Sequence, residues 1–350
     1  MKRNKIIAAI LIAAVLVGVL VYRYANPVME QYTATFLDVF NTSTSIIGYA
    51  KEEETFTEEV KLLKEKLEYY HKLYDIYNDY EGINNIKTIN DNAGIAPVEV
   101  DEEIINLLLL AKEMYDMTDG QMNVAMGSVL LIWHDYREAG VNHPENASLP
   151  SMEKLKEAAL HTDIDQIIID EEASTVYLTD PEMSIDVGSI GKGYAVERVA
   201  EYAKELGMEH ILFSVGGNIR AVGTRYDKSS WRLGIQNPVL ESEQSYVKRV
   251  EIKDMSLVTS GDYQRYYEVD GERYCHIIDP DTLMPANYFA SVTVLTDDSG
   301  VADALSTSLF NMTMEEGLEF VNSLEGVEAV WVMHDGSLQY SENFGDYIVE

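Results

Sequence analysis

Cysteine is almost absent from this chain of 350 residues, which contains only Cys275. A single cysteine excludes an internal disulfide and any metal site of the CxxC kind. Basic residues are also scarce, because 26 lysines and arginines stand against 60 aspartates and glutamates and leave a formal net charge of −34. A chain this negative repels nucleic acid and anionic lipid, so we expect neither as its main partner.

Beyond residue 33 the sequence also lacks low-complexity stretches, internal repeats and long linkers rich in proline, glycine or serine. Hydrophobic residues make up 46% of the chain and aromatic residues 10%, which excludes a wholly disordered acidic protein. The length allows one large domain or two ordinary ones, each with a substantial core. Because no linker divides them, residues 34–350 are predicted to form one compact unit with lobes.

The N-terminus has an uninterrupted apolar run over residues 6–22, preceded by three basic residues. As a helix it is roughly 25 Å long, slightly less than the hydrocarbon core of a bilayer, and flanking Lys5 and Arg23 can lie at the interface. We therefore expect a cytoplasmic segment over residues 1–5, a transmembrane signal-anchor over 6–22, a linker over 23–33 and an exported remainder. A cleaved signal peptide is the alternative, whereas a lipoprotein anchor is excluded because no cysteine follows the run.

Hydrophobic periodicity predicts an α+β fold with mixed or antiparallel sheets and packed helices. A strand or hairpin is expected over residues 36–49, and helices over 57–75, over 101–117 and from Ser151 onward. Runs of neighbouring strands mixed with helices argue against a doubly wound parallel sheet. Beyond residue 163 we expect strands over residues 167–169, 175–178, 211–215, 233–235, 247–252, 256–259, 292–295 and 327–333, and helices over 193–206, 301–310 and 313–324.

A glycine-rich turn, IDVGSIGKGY, covers residues 185–194 and is predicted to end a short strand and begin a helix. Its three glycines allow close backbone approach, and a helix N-terminus together with Lys192 attracts an anion. The spacing matches neither the dinucleotide fingerprint nor the P-loop. It is compatible with diphosphate binding, but the local pattern favours a plain turn that caps a sheet.

Two adjacent glycines, Gly216 and Gly217, follow another apolar strand. Such a pair at a strand end allows a tight bulge or the close packing of a planar ligand. A simple hairpin turn explains the pair as well.

Asp303 and Thr307 lie in a helical pattern, four residues apart and so on one face. A carboxylate and a hydroxyl are hard oxygen donors of the kind that Mg²⁺ accepts, with water and phosphate as its other ligands. The alternative is a helix-start aspartate followed by a threonine bonded back to the helix.

His276 lies in an apolar, strand-like segment that is predicted to be the second half of a hairpin through Asp270 and Gly271. A histidine titrates near neutrality and can act as a general base. The alternative is a structural histidine with satisfied hydrogen bonds. A serine triad through Ser260 is not expected, because no G-x-S-x-G elbow accompanies it.

Four segments occur in a fixed order: IDVGSIGKGYAVERVA, FSVGGNIRAVG, VTSGDYQRYYEVDGERYCHIIDP and VADALSTSLF. Together they resemble the FAD:protein FMN transferase (ApbE) family, and the resemblance covers about residues 33–345. It implies an ApbE-like, T-fold-related catalytic domain over residues 34–350. It also implies a Mg²⁺-dependent enzyme that transfers the FMN half of FAD to a threonine or serine hydroxyl of an acceptor protein and releases AMP.

The resemblance implies a role for several residues. Asp186 and Lys192 match positions that contact FAD. The backbone carbonyl of Ser189 and the side chains of Asp303 and Thr307 match ligands of the metal.

Other matched positions concern the flavin, the adenine and the proton. His276 matches the histidine of the family's H-I-x-D-P segment and is expected to be the base. Gly216 and Gly217 are expected beside the cofactor. Further contacts with the flavin or adenine are implied for Phe40, Gln121, Met122, Asn123 and Ile277.

The sequence departs from the family pattern at several places. Ser189 and Gly191 replace the small residues, often Gly and Ala, that are usual in the glycine-rich turn. Ser306 stands where some relatives have a further acidic metal ligand, Leu283 stands where relatives usually have glycine, and residues 123–125 replace a D-x-T segment. The implied partners are membrane-associated electron-transfer flavoproteins, met at the cell membrane by a single-pass protein with its catalytic domain outside the cytoplasm. The alternatives are an FAD pyrophosphatase that gives FMN and AMP, and a non-enzymatic surface flavin-binding protein.

Overall fold

The computed structural model of the chain describes residue 17 and residues 29–240 and 242–349. Apart from Val17, the predicted segments 1–5 and 6–22 lie outside these residues, as does most of the predicted linker 23–33. The described end of that linker is already a strand, which begins at Glu30. Among the described residues, no helix has the length and apolar character needed to cross a membrane.

Sixteen strands are present in the described part of the chain. They are β1 (Glu30–Val39), β2 (Thr42–Ala50), β3 (Val98–Glu99), β4 (Ile167–Asp170), β5 (Thr175–Leu178), β6 (His210–Val215), β7 (Asn218–Gly223), β8 (Trp231–Gln236), β9 (Tyr246–Ile252), β10 (Ser256–Gly261), β11 (Tyr266–Val269), β12 (Glu272–Cys275), β13 (Ser291–Thr296), β14 (Glu328–Val332), β15 (Leu338–Tyr340) and β16 (Ile348–Val349).

Helices alternate with these strands along the chain. They are α1 (Glu53–Leu73), α2 (Ile86–Asp91), α3 (Glu102–Met117), α4 (Gly127–Asn142), α5 (Met152–Ala158), α6 (Gly191–Glu205), α7 (Ser299–Asn311) and α8 (Met314–Ser323). The predicted helix start at Ser151 is confirmed, since its side chain caps α5. Helix α8 begins with a capping box, in which the side chains of Thr313 and Glu316 each accept from the other's backbone N–H.

The central sheet has eight strands in the order β1-β2-β6-β7-β10-β13-β14-β15, and every neighbouring pair is antiparallel. Smaller sheets are formed by β16-β9-β8, β3-β5-β4 and β11-β12. The predicted α+β fold with antiparallel sheets and packed helices is therefore confirmed.

Side-chain alternation gives the central sheet two buried faces. On β6, Ile211 and Phe213 belong to the large core under the helices, whereas Leu212 belongs to the core shared with the β16-β9-β8 sheet. On β14, Trp331 and Val330 divide in the same way. Because successive strand residues point to opposite faces, the molecule has helices on one side of the sheet and a small sheet on the other.

A third apolar cluster forms a lobe from α4, α5 and the β11-β12 hairpin. Trp133 and Tyr267 are its large buried members, and the Trp133 indole N–H donates to the carbonyl of Leu283 at 3.0 Å. The hairpin turns at Asp270 and Gly271, both with positive φ, as the sequence predicts. This lobe is one wall of the cleft described below.

Candidate active site

A cleft of about 480 Å³ opens at one end of the strands of the central sheet, where the β1–β2 turn, the β6–β7 turn and the end of β10 meet. The start of α6, one face of α7 and the lobe around α4 complete its walls. Twelve of the thirteen site residues predicted from the sequence line this cleft; the exception is Gly217. Gly217 instead completes the β6–β7 turn, with φ of 96°.

Asp303 and Lys192, which are 111 residues apart in sequence, meet on one side of the cleft. The Lys192 ammonium lies 3.5 Å from Asp303 Oδ1 and donates to Asn218 Oδ1 at 3.2 Å. The other carboxylate oxygen of Asp303, Oδ2, accepts the backbone N–H of Gly193 at 2.8 Å. Asp303 is only 4% exposed, so its oxygens face either these donors or the cleft.

Gly193 allows α6 to approach α7 this closely. A Cβ at this position would lie 2.1 Å from the carbonyl oxygen of Ser299 and 2.5 Å from Cβ of Asp303. One atom is in the backbone of α7 and the other is the Cβ of a residue in α7, so neither can rotate away. The third glycine of the predicted turn is therefore required by helix packing.

The alternative interpretation of Asp303 as a helix-start residue is excluded. The N-cap of α7 is Asp298, whose side chain accepts from the N–H groups of Gly300 and Val301. Asp303 lies one turn further into the helix. The hydroxyl of Ser306, not that of Thr307, bonds back to the Asp303 carbonyl, at 3.0 Å.

Thr307 and Ser189 line the same cleft as Asp303. Thr307 lies one turn after Asp303 on the cleft face of α7, and Ser189 lies in the turn before α6. The prediction that this turn ends a short strand is wrong. Before the turn, only Ser184 forms a single β-bridge, with Met126. The backbone of Gly127 lies against Ser184, where a Cβ on Gly127 would be 2.3 Å from the Ser184 carbonyl oxygen, and its N–H donates to that oxygen at 3.0 Å.

Asp186 stabilises the turn itself. Its Oδ1 accepts the N–H of Gly188 at 2.8 Å, while its backbone N–H donates to Val124 at 2.9 Å. Burial at the base of the cleft raises the pKa of the Asp186 carboxyl. A carboxylate in these surroundings gains stability when a hydrogen-bond donor, such as a ligand hydroxyl, approaches it.

His276 lies directly after β12 and faces the cleft. Burial lowers the pKa of the imidazole to about 3, and the positive charges of Arg265, Arg137 and Lys192 add to this shift. The ring is therefore neutral at physiological pH. Its Nδ1 is buried and has no hydrogen-bond partner among the described residues, so the alternative of a satisfied structural histidine does not hold.

Arg137 and Arg265 line the same cleft and were not predicted from the sequence. In the described residues, the Arg265 guanidinium has no carboxylate within ion-pair distance. Arg137 Nη2 lies 3.9 Å from Glu138 Oε1, which is near the outer limit of an ion pair. Arg137 also contacts His134 Nδ1 at 3.0 Å. In a chain with 60 acidic residues, two arginines left facing a cleft are suited to a polyanionic ligand.

A buried ion pair connects the three elements that bear these groups. Glu197 on α6 accepts from Nε and Nη2 of Arg220 on β7, at 2.9 and 3.1 Å. Glu197 Oε2 also accepts the N–H of Ser299 at the start of α7, at 2.8 Å. Both partners are at most 4% exposed. The pair therefore fixes α7, which bears Asp303, against α6 and β7, which bear Lys192 and Asn218.

The β1–β2 turn and the β6–β7 turn line the mouth of the cleft. Phe40 adopts φ of 51° in the first turn, and its ring contacts His71 edge-on at 5.5 Å. Gly216 adopts φ of 52° in the second, where a Cβ would lie 2.4 Å from Thr42 Oγ1. The two turns therefore pack on each other, which makes Gly216 both a hairpin residue and a part of the cleft surface.

Comparison with known proteins identifies the family. A profile of the ApbE family matches residues 40–331 of the chain. The chain belongs to the ApbE family. The FAD:protein FMN transferase of Klebsiella pneumoniae (strain 342) is 32% identical over 261 residues, which cover 73% of this chain and 78% of the relative. The FAD:protein FMN transferase of Vibrio cholerae serotype O1 is 32% identical over 272 residues, which cover 77% of each.

Solved ApbE structures share the fold. The ApbE protein of Thermotoga maritima has a TM-score of 0.80 at 29% identity and covers 92% of this chain and 100% of its own. The flavin transferase ApbE of Vibrio cholerae has a TM-score of 0.76 at 25% identity, with 91% and 100% covered. The predictions of an ApbE-like fold and of an enzyme of this family are confirmed.

Two departures from the ApbE pattern have a structural outcome. Ser306, fully buried, donates or accepts a hydrogen bond with Ser260 at 2.8 Å and so lies behind Asp303, not in the cleft. Leu283 adopts φ of 60°, a conformation that favours glycine, and is held there by the bond from Trp133 to its carbonyl. This loop of the chain therefore has a left-handed residue that is not glycine.

Proposed function

We propose that this ApbE protein transfers the FMN half of FAD to a threonine or serine hydroxyl of an acceptor protein, in a Mg²⁺-dependent reaction that releases AMP. The observation that carries the proposal is the convergence of Asp303, Thr307, Lys192 and the 186–191 turn in one cleft with His276. The names of the relatives support flavin transfer. The metal, the hydroxyl acceptor and the leaving group are argued from the chemistry of the cleft.

The donor set fits Mg²⁺. Asp303, the Thr307 hydroxyl and the Ser189 carbonyl would hold it, all through hard oxygen atoms. The described residues contain no group of three His, Cys, Asp or Glu side chains that could hold a metal, so a softer zinc-like cage is not the arrangement here. When bound, Mg²⁺ neutralises charge on the diphosphate and polarises the phosphorus centre.

The positive groups of the cleft would hold the diphosphate of FAD. Its negative charge is repelled by a chain of net charge −34, so local cations are needed to concentrate it. Lys192, Arg137 and Arg265 supply three positive charges from α6, α4 and the segment before β11. Fixed charges around a transferring phosphoryl group carry most of the catalysis in reactions of this class.

In the transfer step, the acceptor hydroxyl oxygen attacks the phosphorus of the FMN phosphate. The bond from that phosphorus to the bridging oxygen breaks, and AMP leaves with the bonding electron pair. His276, neutral and with an unpartnered ring nitrogen, takes the proton of the hydroxyl. Diphosphate binding offsets the neighbouring cations and raises the pKa of His276, which prepares it as a base; such help is worth about 10²–10⁴-fold.

Release of AMP tests the reaction. The enzyme is incubated with FAD and Mg²⁺, with and without a fraction of exported proteins, and AMP is measured together with protein-bound flavin. Transfer predicts that AMP release depends on the protein fraction and equals the bound flavin. AMP and FMN released equally without acceptor would establish the pyrophosphatase alternative, and FAD retained without turnover would establish a flavin-binding protein.

We also propose that the enzyme is attached to the cell membrane through residues 6–22, with the catalytic domain outside the cytoplasm. The apolar run and the basic residues before it support this orientation. Membrane-associated flavoproteins of electron transfer would then be accessible as acceptors on the same surface. Cell fractionation of the full chain and of a chain starting at residue 29 tests the anchor; recovery of both in the soluble fraction would refute it.

A further inference from the structure

Asn218, the first residue of β7, lies behind the cleft and contacts the side chain of Lys192. It is 1% exposed and does not line the cleft itself. Its Oδ1 accepts from the Lys192 ammonium at 3.2 Å, while its Nδ2 is buried and has no hydrogen-bond partner among the described residues. A buried N–H without a partner is costly, so this side chain requires an explanation.

The contact with Lys192 fixes the orientation of this amide. Rotating it by 180° would turn the NH₂ group toward the ammonium, so that two donors faced each other and the oxygen lost its donor. An aspartate of the same shape would leave no N–H unpaired, but it would form an ion pair with Lys192 and offset its charge. The amide therefore supplies an acceptor that is neutral.

The distances show that Lys192 does not form a close ion pair with Asp303. An ammonium in a good ion pair approaches a carboxylate oxygen to about 2.7–2.9 Å. Lys192 lies 3.5 Å from Asp303 Oδ1 and is nearer to the amide of Asn218, although only the carboxylate bears a charge. The lysine side chain is 21% exposed, so its ammonium lies between these two acceptors and the open cleft.

This arrangement leaves one oxygen of Asp303 for a cation. Oδ2 already accepts the backbone N–H of Gly193 at 2.8 Å, so Oδ1 is the oxygen with more free lone pairs. A lysine in close contact with Oδ1 would compete with Mg²⁺, because the two cations repel each other and need the same oxygen. A lysine that is held by a neutral amide competes less and keeps its charge for a phosphate.

We propose that Asn218 is a positioning residue: it holds Lys192 away from Asp303, so that the carboxylate can bind Mg²⁺ and the lysine stays available to the diphosphate of FAD. This inference rests on the proposed function, because Mg²⁺ and FAD belong to that reaction. Lys192 should therefore oppose metal binding in the enzyme without FAD, and Asn218 should limit that opposition. Coupling between two sites is typically about 5–150-fold in affinity.

The test is the affinity for Mg²⁺ alone, measured by titration calorimetry on the full chain without FAD or acceptor. Lys192→Met removes the competing charge at similar length, and we expect Mg²⁺ to bind about 10-fold more tightly. Asn218→Leu removes the acceptor at similar size. Lys192 then closes on Asp303, and Mg²⁺ binding should weaken by about 5-fold or more.

Asn218→Asp should have the opposite effect on the metal. The new carboxylate draws Lys192 further from Asp303 and adds a negative charge, so Mg²⁺ should bind more tightly than to the wild type. Because the lysine is then paired, FAD binding in the presence of EDTA should weaken by about 10-fold. A residue that only supported the fold would weaken Mg²⁺ binding in both Asn218 variants.

A double variant shows whether Asn218 acts through the lysine. Lys192→Met/Asn218→Leu should bind Mg²⁺ as Lys192→Met does, because the residue that Asn218 positions is already gone. Asn85→Asp is the control for a buried carboxylate. Asn85 is also fully buried and does not line the cleft, so its replacement should lower Tm without changing Mg²⁺ affinity.

Three results would overturn the inference: weaker Mg²⁺ binding in both Asn218→Leu and Asn218→Asp, an effect of Asn218→Leu that persists in the Lys192→Met background, or unchanged Mg²⁺ affinity in Lys192→Met. Should Asn218→Leu not fold, Asn218→Ser removes the acceptor at this reach while it keeps a polar side chain, and the same outcomes apply to it.

The inference and the proposed function can fail separately, because metal binding is measured without turnover. An enzyme with the expected order of Mg²⁺ affinities that releases no AMP from FAD would retain the inference and refute the function. An enzyme that transfers FMN, but binds Mg²⁺ equally in the wild type and in all three single variants, would do the reverse.

Discussion

Gly193→Ala is the substitution with the most direct consequence for the site. The added methyl would lie 2.1 Å from the Ser299 carbonyl oxygen, whereas ordinary contact begins near 3.4 Å. The start of α6 must therefore move from α7 by about 1.3 Å, the difference between these two distances. The movement breaks the bond from Gly193 N–H to Asp303 and carries Lys192 away with it.

Two magnitudes follow from this displacement. Overpacking of a close contact costs about 1–3 kcal/mol, which lowers Tm by a few degrees. A misplacement of about 1 Å in a catalytic arrangement costs on the order of 10²-fold in rate. The loss of activity should therefore exceed what partial unfolding explains. We also expect a higher Mg²⁺ concentration at half-maximal activity, because the Asp303 carboxylate loses its fixed orientation.

The assay is flavin transfer at increasing Mg²⁺, with Tm measured on the same preparations. Gly345→Ala is the matched control, because no atom lies within 4 Å of a Cβ there and its backbone is not left-handed. A Gly193→Ala enzyme with the wild-type rate and Mg²⁺ dependence would refute the claim that helix contact orients Asp303.

Three further predictions concern buried groups. Glu197→Gln leaves Arg220 without its main counter-ion, so we expect about 3 kcal/mol or more of destabilisation and a shift in the Mg²⁺ dependence of turnover. Glu328→Gln is the control: it changes another buried carboxylate, which does not line the cleft, and should lower Tm without shifting the Mg²⁺ dependence. Burial raises the pKa of the Cys275 thiol to about 11, so iodoacetamide at pH 8 should label the unfolded chain and not the native one; equal labelling would contradict this. Because the pKa of His276 is lowered in the folded state, the unfolded state binds one more proton between about pH 6.5 and 3, and this group reduces stability as pH falls through that range. In kinetics, the acid limb of kcat should lie at higher pH than that of kcat/KM, because bound diphosphate raises the pKa of His276. Coincident limbs, or limbs that persist in His276→Ala, would remove His276 as the base.

Patterns with a clear period predicted most of the fold. The apolar run of β6 is continuous because both faces of that strand are buried, and the three- and four-residue steps of α1 are clear because that helix has one buried face. Helix α4 was missed because its apolar residues are spread around the helix, between the lobe core, the cleft and solvent. Strand β7 was missed because it follows two glycines and contains Arg220, a charged residue that can be buried in the strand because Glu197 pairs with it.

For the site, motif residues were predictable and their supporting residues were not. Asp303 and Lys192 stand in recognisable local patterns, although only the fold shows that they meet. Arg265 has no local signal, since an isolated arginine in a sequence is usually on the surface. Its importance comes from a missing partner, because no carboxylate of the described residues lies within ion-pair distance of its guanidinium.

The central claim is that the Asp303 carboxylate, with Mg²⁺, drives transfer of FMN to a protein hydroxyl. The most direct measurement is mass spectrometry of exported proteins after incubation with FAD, Mg²⁺ and either the wild type or Asp303→Asn. We predict a mass gain of one FMN on a threonine or serine with the wild type, and its loss with the variant or with a chelator. Labelling by Asp303→Asn at the wild-type rate, or no labelled protein with an active wild type, would contradict the account.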